Sequence, residues 1–162
     1  MDRKLRLYLE TTVFNYYFDE DREGHEDVVR LFEAIREGQF EGYVSSYVSD
    51  ELMAAPEPKR SAMLSLVDEY GIIAIERTAK ARYMAGIYRQ EGVIPKSQEF
   101  DSLHVATATV YGLDCLVSYN FAHINRAKTM LLAANVNRRE GYGEVIICTA
   151  GEVLENVCNG SY

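Results

Sequence analysis

The chain has 162 residues, of which 48% are hydrophobic and 26% charged, a length and balance that fit one soluble domain able to bury its apolar surface without metals or disulfides. No apolar run approaches the roughly 18 residues a membrane span needs, which argues against a membrane partner. The formal net charge of −8 argues against a broad nucleic-acid footprint.

Residues 4–10 alternate charged and apolar side chains and then turn apolar, which predicts a first strand with Leu5, Leu7 and Leu9 on one side, ended by Glu10. A Thr at a strand end is a good helix N-cap, so the following Thr11-Thr12-Val13-Phe14-Asn15 predicts a short helix. Its backbone N–H groups would favour a nearby anion such as a phosphate. An acidic loop over residues 19–23 leads to a helix with Val28, Val29, Leu31, Phe32 and Ile35 on its apolar side, closed near Gly38.

Residues 42–46 read as the second strand, and Ser49 as the cap of a turn carrying Asp50, Glu51 and Leu52. Pro56 and Pro58 break the chain before a helix over residues 59–70, which Gly71 stops. Residues 72–75 form a compact apolar strand, after which Thr78 caps a helix running to about Glu91. Ser97 is the expected cap of the next helix, which carries Asp101 and then Leu103, Val105, Ala106, Ala108 and Val110 on nearly every face, up to Gly112. Cys115-Leu116-Val117 reads as a buried parallel strand with polar Ser118-Tyr119-Asn120 at its end. A helix over residues 125–137 with Met130, Leu131, Ala133 and Ala134 apolar follows, then a last strand at 145–148 and a helical turn over 152–157.

Strands alternate with helices throughout, which predicts a three-layer α/β/α fold with a mainly parallel central sheet, as a single domain over residues 1–162. Cys115, Cys148 and Cys158 form no C-x-x-C pair and are read as reduced thiols of a cytoplasmic protein. The N-terminal residues lead into a strand rather than a signal core.

In open α/β sheets, ligands bind in the crevice at the carboxyl ends of the strands. Glu10, Glu51 and Asp101 sit at element boundaries, the first at a strand end and the others early in helices, and Asn120 closes a strand. Hard cations such as Mg²⁺ take such oxygen ligands, and carboxylates brought together repel one another unless a cation neutralises them. The alternative for Glu10 and Glu51 is a carboxylate stabilised by a helix N-terminus. Asp101, an acid within a very apolar helix, is the strongest single candidate. His104, three residues on, could position Asp101 or touch a phosphate, but a hydrogen-bonded structural role fits it better. Neither His25 nor His123 shows zinc-ligand spacing. Tyr16, Tyr17, Tyr43, Tyr47 and Tyr119 are packing residues by default, with base stacking as the alternative. Basic residues at Arg3, Lys4, Arg6, Lys59, Arg60, Arg126, Lys128, Arg138 and Arg139 leave room for a small basic rim.

Four ordered blocks, LYLETTVFN, VSSYVSDEL, FDSLHVATA and CLVSYNFAHI, resemble PIN-domain proteins of the VapC-like toxin group across essentially the whole chain. The resemblance implies an endoribonuclease in which Mg²⁺ or Mn²⁺ activates water for attack on RNA. Glu10, Glu51, Asp101 and Asn120 would hold the metal, with Thr11 and Ser118 orienting ligands or water. It also implies a homodimer and an antitoxin protein as partner. Two residues depart from the pattern: the first acid is Glu10 rather than Asp, and Asn120 stands where an acid is common. The competing reading is a PIN-fold RNA- or protein-binding regulatory module with little or no catalysis. A phosphatase or receiver domain is a distant third, because no second acid follows Glu10 two residues on and no Lys-Pro pair follows the last strand.

Overall fold

A computed structural model describes residues 3–158, with side chains at the C-terminal end described as far as Glu155. The described residues form five strands, β1 (Leu5–Leu9), β2 (Phe40–Ser45), β3 (Ile73–Ile75), β4 (Cys115–Val117) and β5 (Ile146–Cys148). Eight helices separate and follow them: α1 (Thr11–Phe18), α2 (His25–Arg36), α3 (Ser46–Leu52), α4 (Lys59–Glu69), α5 (Ala79–Gln90), α6 (Glu99–Val110), α7 (Ala127–Arg139) and α8 (Ala150–Cys158).

The strands pair in the order β3-β2-β1-β4-β5, every pair parallel. This is the three-layer α/β/α architecture that the alternation of elements predicts, with helices on both faces of the sheet. The chain grows outward from β1 through β2 to β3, then returns to lay β4 on the other side of β1. In register, Leu9 pairs with Val117. The two central strands therefore end side by side where the winding reverses, the place at which open parallel sheets form their ligand crevice.

Burial of β1 differs from the expected one-sided pattern. Leu7, Tyr8 and Leu9 are all 0% exposed, because a central parallel strand is covered on both faces and Tyr8 packs as deeply as its leucine neighbours. At the opposite extreme, β3 is an edge strand and its apolar Ile73 is exposed. In α7 the buried side is Thr129, Ala133, Val136 and Asn137, while Leu131 is 68% exposed, so the apolar set expected there is only partly the buried one.

Caps also depart from expectation. Thr78 does cap α5, its side chain accepting from the Ala81 N–H at 3.0 Å. Ser49 instead lies inside α3, donating its hydroxyl to the Ser46 carbonyl, because the helix already starts at Ser46. Gln98, not Ser97, occupies the N-cap of α6, with no side-chain cap. Pro56 and Pro58 fall between α3 and α4, where neither helix needs the missing N–H. Cys115 and Cys148 are buried free thiols on adjacent strands; the Cys158 side chain lies outside the described residues.

Candidate active site

Glu10 is the first residue after β1 and is 2% exposed. It, rather than a threonine, caps α1: its Oε1 accepts from the Thr12 N–H at 3.2 Å and from the Thr12 hydroxyl at 2.5 Å. The same oxygen accepts from Ser118 Oγ at 2.9 Å, across the junction from β4. Thr12 Oγ1 in turn accepts from the Tyr119 N–H at 2.8 Å, so the ends of the two central strands are laced through this carboxylate.

Glu51 sits in the last turn of α3, not early in a helix. There the helix dipole opposes a negative charge, so stabilisation by a helix N-terminus does not account for it. Its Oε1 accepts from the Thr11 hydroxyl at 2.5 Å and is 2.6 Å from His104 Nε2. His104 is 0% exposed, and its Nδ1 is hydrogen-bonded to the Tyr8 hydroxyl at 2.6 Å, which meets Ser45 Oγ at 2.7 Å. A buried chain of hydrogen bonds, Ser45 to Tyr8 to His104 to Glu51, thus runs from β2 across β1 and α6 to α3. His104 turns to Glu51 rather than to Asp101, its neighbour one helical turn away.

Asp101 lies in the first turn of α6 and is 7% exposed. Its Oδ2 is buried without a hydrogen-bond partner among the described residues. Asn120 follows β4: its backbone N–H donates to Ser118 Oγ at 3.0 Å, and its side-chain oxygen accepts from the His123 N–H at 3.0 Å. That bond closes the turn after β4.

The electrostatics divide the three acids. Burial raises the Glu10 carboxyl above its ordinary range, offset in part by the His104 charge and by the hydrogen bonds from Thr12 and Ser118. Burial also raises Asp101, against the His104 charge and the Asn120 amide, and the nearby Glu51 charge adds to the rise. Burial pushes Glu51 up as well, but the hydrogen bond and charge of His104, with the Thr11 hydroxyl, outweigh it and hold the group below its usual range. Two buried carboxyls are therefore costly to ionise without a counter-charge.

One oxygen each of Glu10 and Glu51 and a ring nitrogen of His104 lie within 4.8 Å of one another. Both His104 nitrogens are already engaged, so this side chain fixes Glu51 rather than standing free as a donor. The unpartnered Asp101 oxygen, the raised Glu10 and the oxygen-rich donor set fit a hard divalent cation. Of the six residues singled out from the sequence, Glu10, Thr11, Glu51 and Ser118 share direct hydrogen bonds or the 4.8 Å group. Asn120 joins them through its backbone N–H to Ser118 Oγ, and Asp101 is not in the 4.8 Å group, although the His104 and Glu51 charges act on its carboxyl. Sequence reasoning missed Tyr8 and Ser45, and it missed Glu51 as the partner of His104. Two strand residues and a helix give no local sign that they meet.

A family model described as PIN domain matches residues 7–128. Among curated proteins no sequence relative is found. Among solved structures, the chain is similar to one in a crystal structure of VapBC2 from Rickettsia felis bound to a DNA fragment from their promoter. The identity is 15%, the match covers 88% of this chain and 97% of that chain, and the TM-score is 0.54, a likeness of fold. With more than half its length matched by the family model, the chain belongs to the PIN domain family.

Proposed function

We propose that this protein is a metal-dependent endoribonuclease, the toxin of a toxin–antitoxin pair, acting at Glu10, Glu51 and Asp101. The observation that carries the reading is the approach of Glu10 and Glu51 to within 4.8 Å of each other at the end of β1, together with a buried Asp101 oxygen left unpartnered among the described residues. Carboxylates brought this close repel one another unless a cation neutralises them. Membership of a family whose proteins are generally nucleases supports it.

Mg²⁺ or Mn²⁺ would be held by Glu10, Glu51 and Asp101, with Asn120 completing the site. When bound, such a cation supplies positive charge that makes water a better nucleophile and stabilises negative charge growing on a phosphoryl group. The chain's own residues hold the acids ready. Ser118 and Thr12 fix the Glu10 carboxylate, while Thr11 and His104 fix Glu51. Fixed carboxylates need no reorganisation as the phosphodiester is cleaved.

The structural neighbour contains the VapBC2 pair, which supports an antitoxin as partner. A homodimer in the cytoplasm completes the proposal, and no helix among the described residues is long and apolar enough to cross a membrane. One observation favours a second reading, a PIN-fold RNA- or protein-binding module with little catalysis: the Asn120 side-chain oxygen is already engaged by His123. Purified protein incubated with structured and single-stranded RNAs in Mg²⁺, in Mn²⁺ and in chelator separates the two. Cleavage that needs the metal supports the nuclease; RNA binding without cleavage in either metal supports the module.

A further inference from the structure

A cavity of about 490 Å³ opens between the end of α1, the start of α2 and the loop after β4, with Tyr16, Arg22, Glu23, Asp27, Tyr119 and Phe121 in its walls. Tyr119 and Phe121 flank Asn120 in the chain. The Tyr119 N–H is joined to Glu10 through a single hydroxyl, that of Thr12. The cavity and the acid cluster therefore share one loop.

Tyr119 is a buried core residue and Tyr16 packs against that core, as expected of packing tyrosines, while Phe121 carries the aromatic surface outward. Tyr16 and Tyr119 stack with ring centroids 4.2 Å apart and planes 22° apart. Phe121 meets Tyr119 edge-on, at 6.2 Å and 77°, yet is itself 56% exposed. The Arg22 guanidinium lies 5.2 Å from the centre of the Tyr16 ring. Gly24, at φ +103°, keeps the wall open, because a Cβ there would come within 3.0 Å of the Tyr119 ring.

Charge decides what fits. Glu23 and Asp27 line the cavity with Arg22, whose guanidinium is paired with Asp19 at 3.0 Å, and carboxylates repel a phosphate but accept hydrogen bonds from N–H groups. Arg30 is paired with Asp27 Oδ1, which leaves the other oxygen of that carboxylate to accept. A flat ring with N–H donors on its edge satisfies both features: its face stacks on an aromatic side chain and its edge meets a carboxylate.

We propose that this cavity receives a nucleobase of the RNA strand, adjacent to the phosphodiester held at the acids. The base stacks on Phe121 with its N–H edge toward Asp27 and Glu23. The inference rests on the ribonuclease reading and adds to it a site that holds a base rather than a phosphate.

The chain contains no tryptophan, so Phe121→Trp introduces a single reporter at the platform. In chelator, where no divalent cation is present, a short single-stranded RNA is titrated into the full chain carrying Phe121→Trp. The same RNA with abasic sites serves as control. The expected result is quenching by the RNA and little by the abasic strand. In the parent chain, Phe121→Ala weakens RNA binding about 5- to 100-fold, the scale of one base–aromatic stack, and Phe121→Tyr restores it. RNA binding with unchanged tryptophan emission, together with parent-like affinity in Phe121→Ala, overturns the base site. So does a complete absence of RNA binding. Cleavage of RNA by the parent chain in Mg²⁺ or Mn²⁺ judges the ribonuclease reading separately, whatever the cavity binds.

Discussion

His104 Nε2 lies 2.6 Å from Glu51 Oε1, while the other nitrogen of the same ring is hydrogen-bonded to the Tyr8 hydroxyl at 2.6 Å. A fully buried imidazole is thus held from behind by the central strand and holds in turn the carboxylate in the last turn of α3. Removing it strands two polar groups at once. His104→Ala is expected to cost about 2–4 kcal/mol in chemical denaturation, from a cavity and two broken buried hydrogen bonds. It should also weaken Mn²⁺ binding about 10- to 100-fold, as loss of a ligand's supporting partner does. Calorimetric titration with Mn²⁺ checks the second effect; unchanged affinity would mean that His104 is structural only.

Ser118 offers a second test of support around the acids. It is 0% exposed, donates to Glu10 and accepts from the Asn120 N–H. Ser118→Ala should cost about 1–3 kcal/mol and lower cleavage about 10- to 100-fold, with KM for RNA little changed. A fall in stability with cleavage intact would separate the hydroxyl from the site.

Without metal the acids carry a pH signature. Glu10 and Asp101 are raised by burial, so the folded chain holds protons that the unfolded chain has released. Their contribution to stability is present below the unfolded carboxylate pKa, about 4, and is lost as pH rises through the folded values. Glu51, held low, acts in the opposite sense: its contribution is present above the unfolded value and is lost as pH falls through the folded one. Replacing Glu10 with its neutral isostere removes the burial cost of a charge. Glu10→Gln is therefore expected to stabilise the metal-free chain at neutral pH while abolishing the added stability that Mg²⁺ confers on the parent. Thermal melts in chelator and in Mg²⁺ measure both; a less stable Glu10→Gln in chelator would contradict the assigned burial cost.

Asp114 provides a contrast away from the site. Its carboxylate takes two hydrogen bonds of 2.6 Å from the Arg3 guanidinium and one of 2.8 Å from the Arg6 N–H, and the Arg3 hydrogen bond is the largest influence holding its pKa low. Asp114→Ala leaves the Arg6 N–H without that acceptor and should cost about 1 kcal/mol with cleavage unchanged. Loss of cleavage there would show that the β1–β4 junction transmits strain to the acids.

Much of this arrangement was legible in the chain itself. The alternation of strand and helix marked a parallel sheet, and Asp101 stood out because an acid in an apolar helix lacks an ordinary packing role, whereas Glu10 and Glu51 could equally be helix-terminal carboxylates, a role that Glu10 does take as the cap of α1. The order in which strands pair is not written locally, so the reversal of winding that sets β1 beside β4 emerges only with the fold. The same holds for Tyr8, whose place in an alternating stretch pointed away from Leu7 and Leu9, although a central strand buries both of its faces. Caps misread for a similar reason. Glu10 takes the role expected of threonine because its longer side chain reaches back to the Thr12 N–H while also meeting Ser118.

The central claim is that the acids at the β1–β4 crevice cleave RNA with the help of a divalent cation. Its most direct test sets the parent chain beside Asp101→Asn, equally folded by circular dichroism, on one single-stranded RNA in Mn²⁺. The account predicts metal-dependent cleavage by the parent and at least a 100-fold loss in the variant, on the scale of about 3 kcal/mol in transition-state stabilisation. Equal cleavage by the two chains would contradict it.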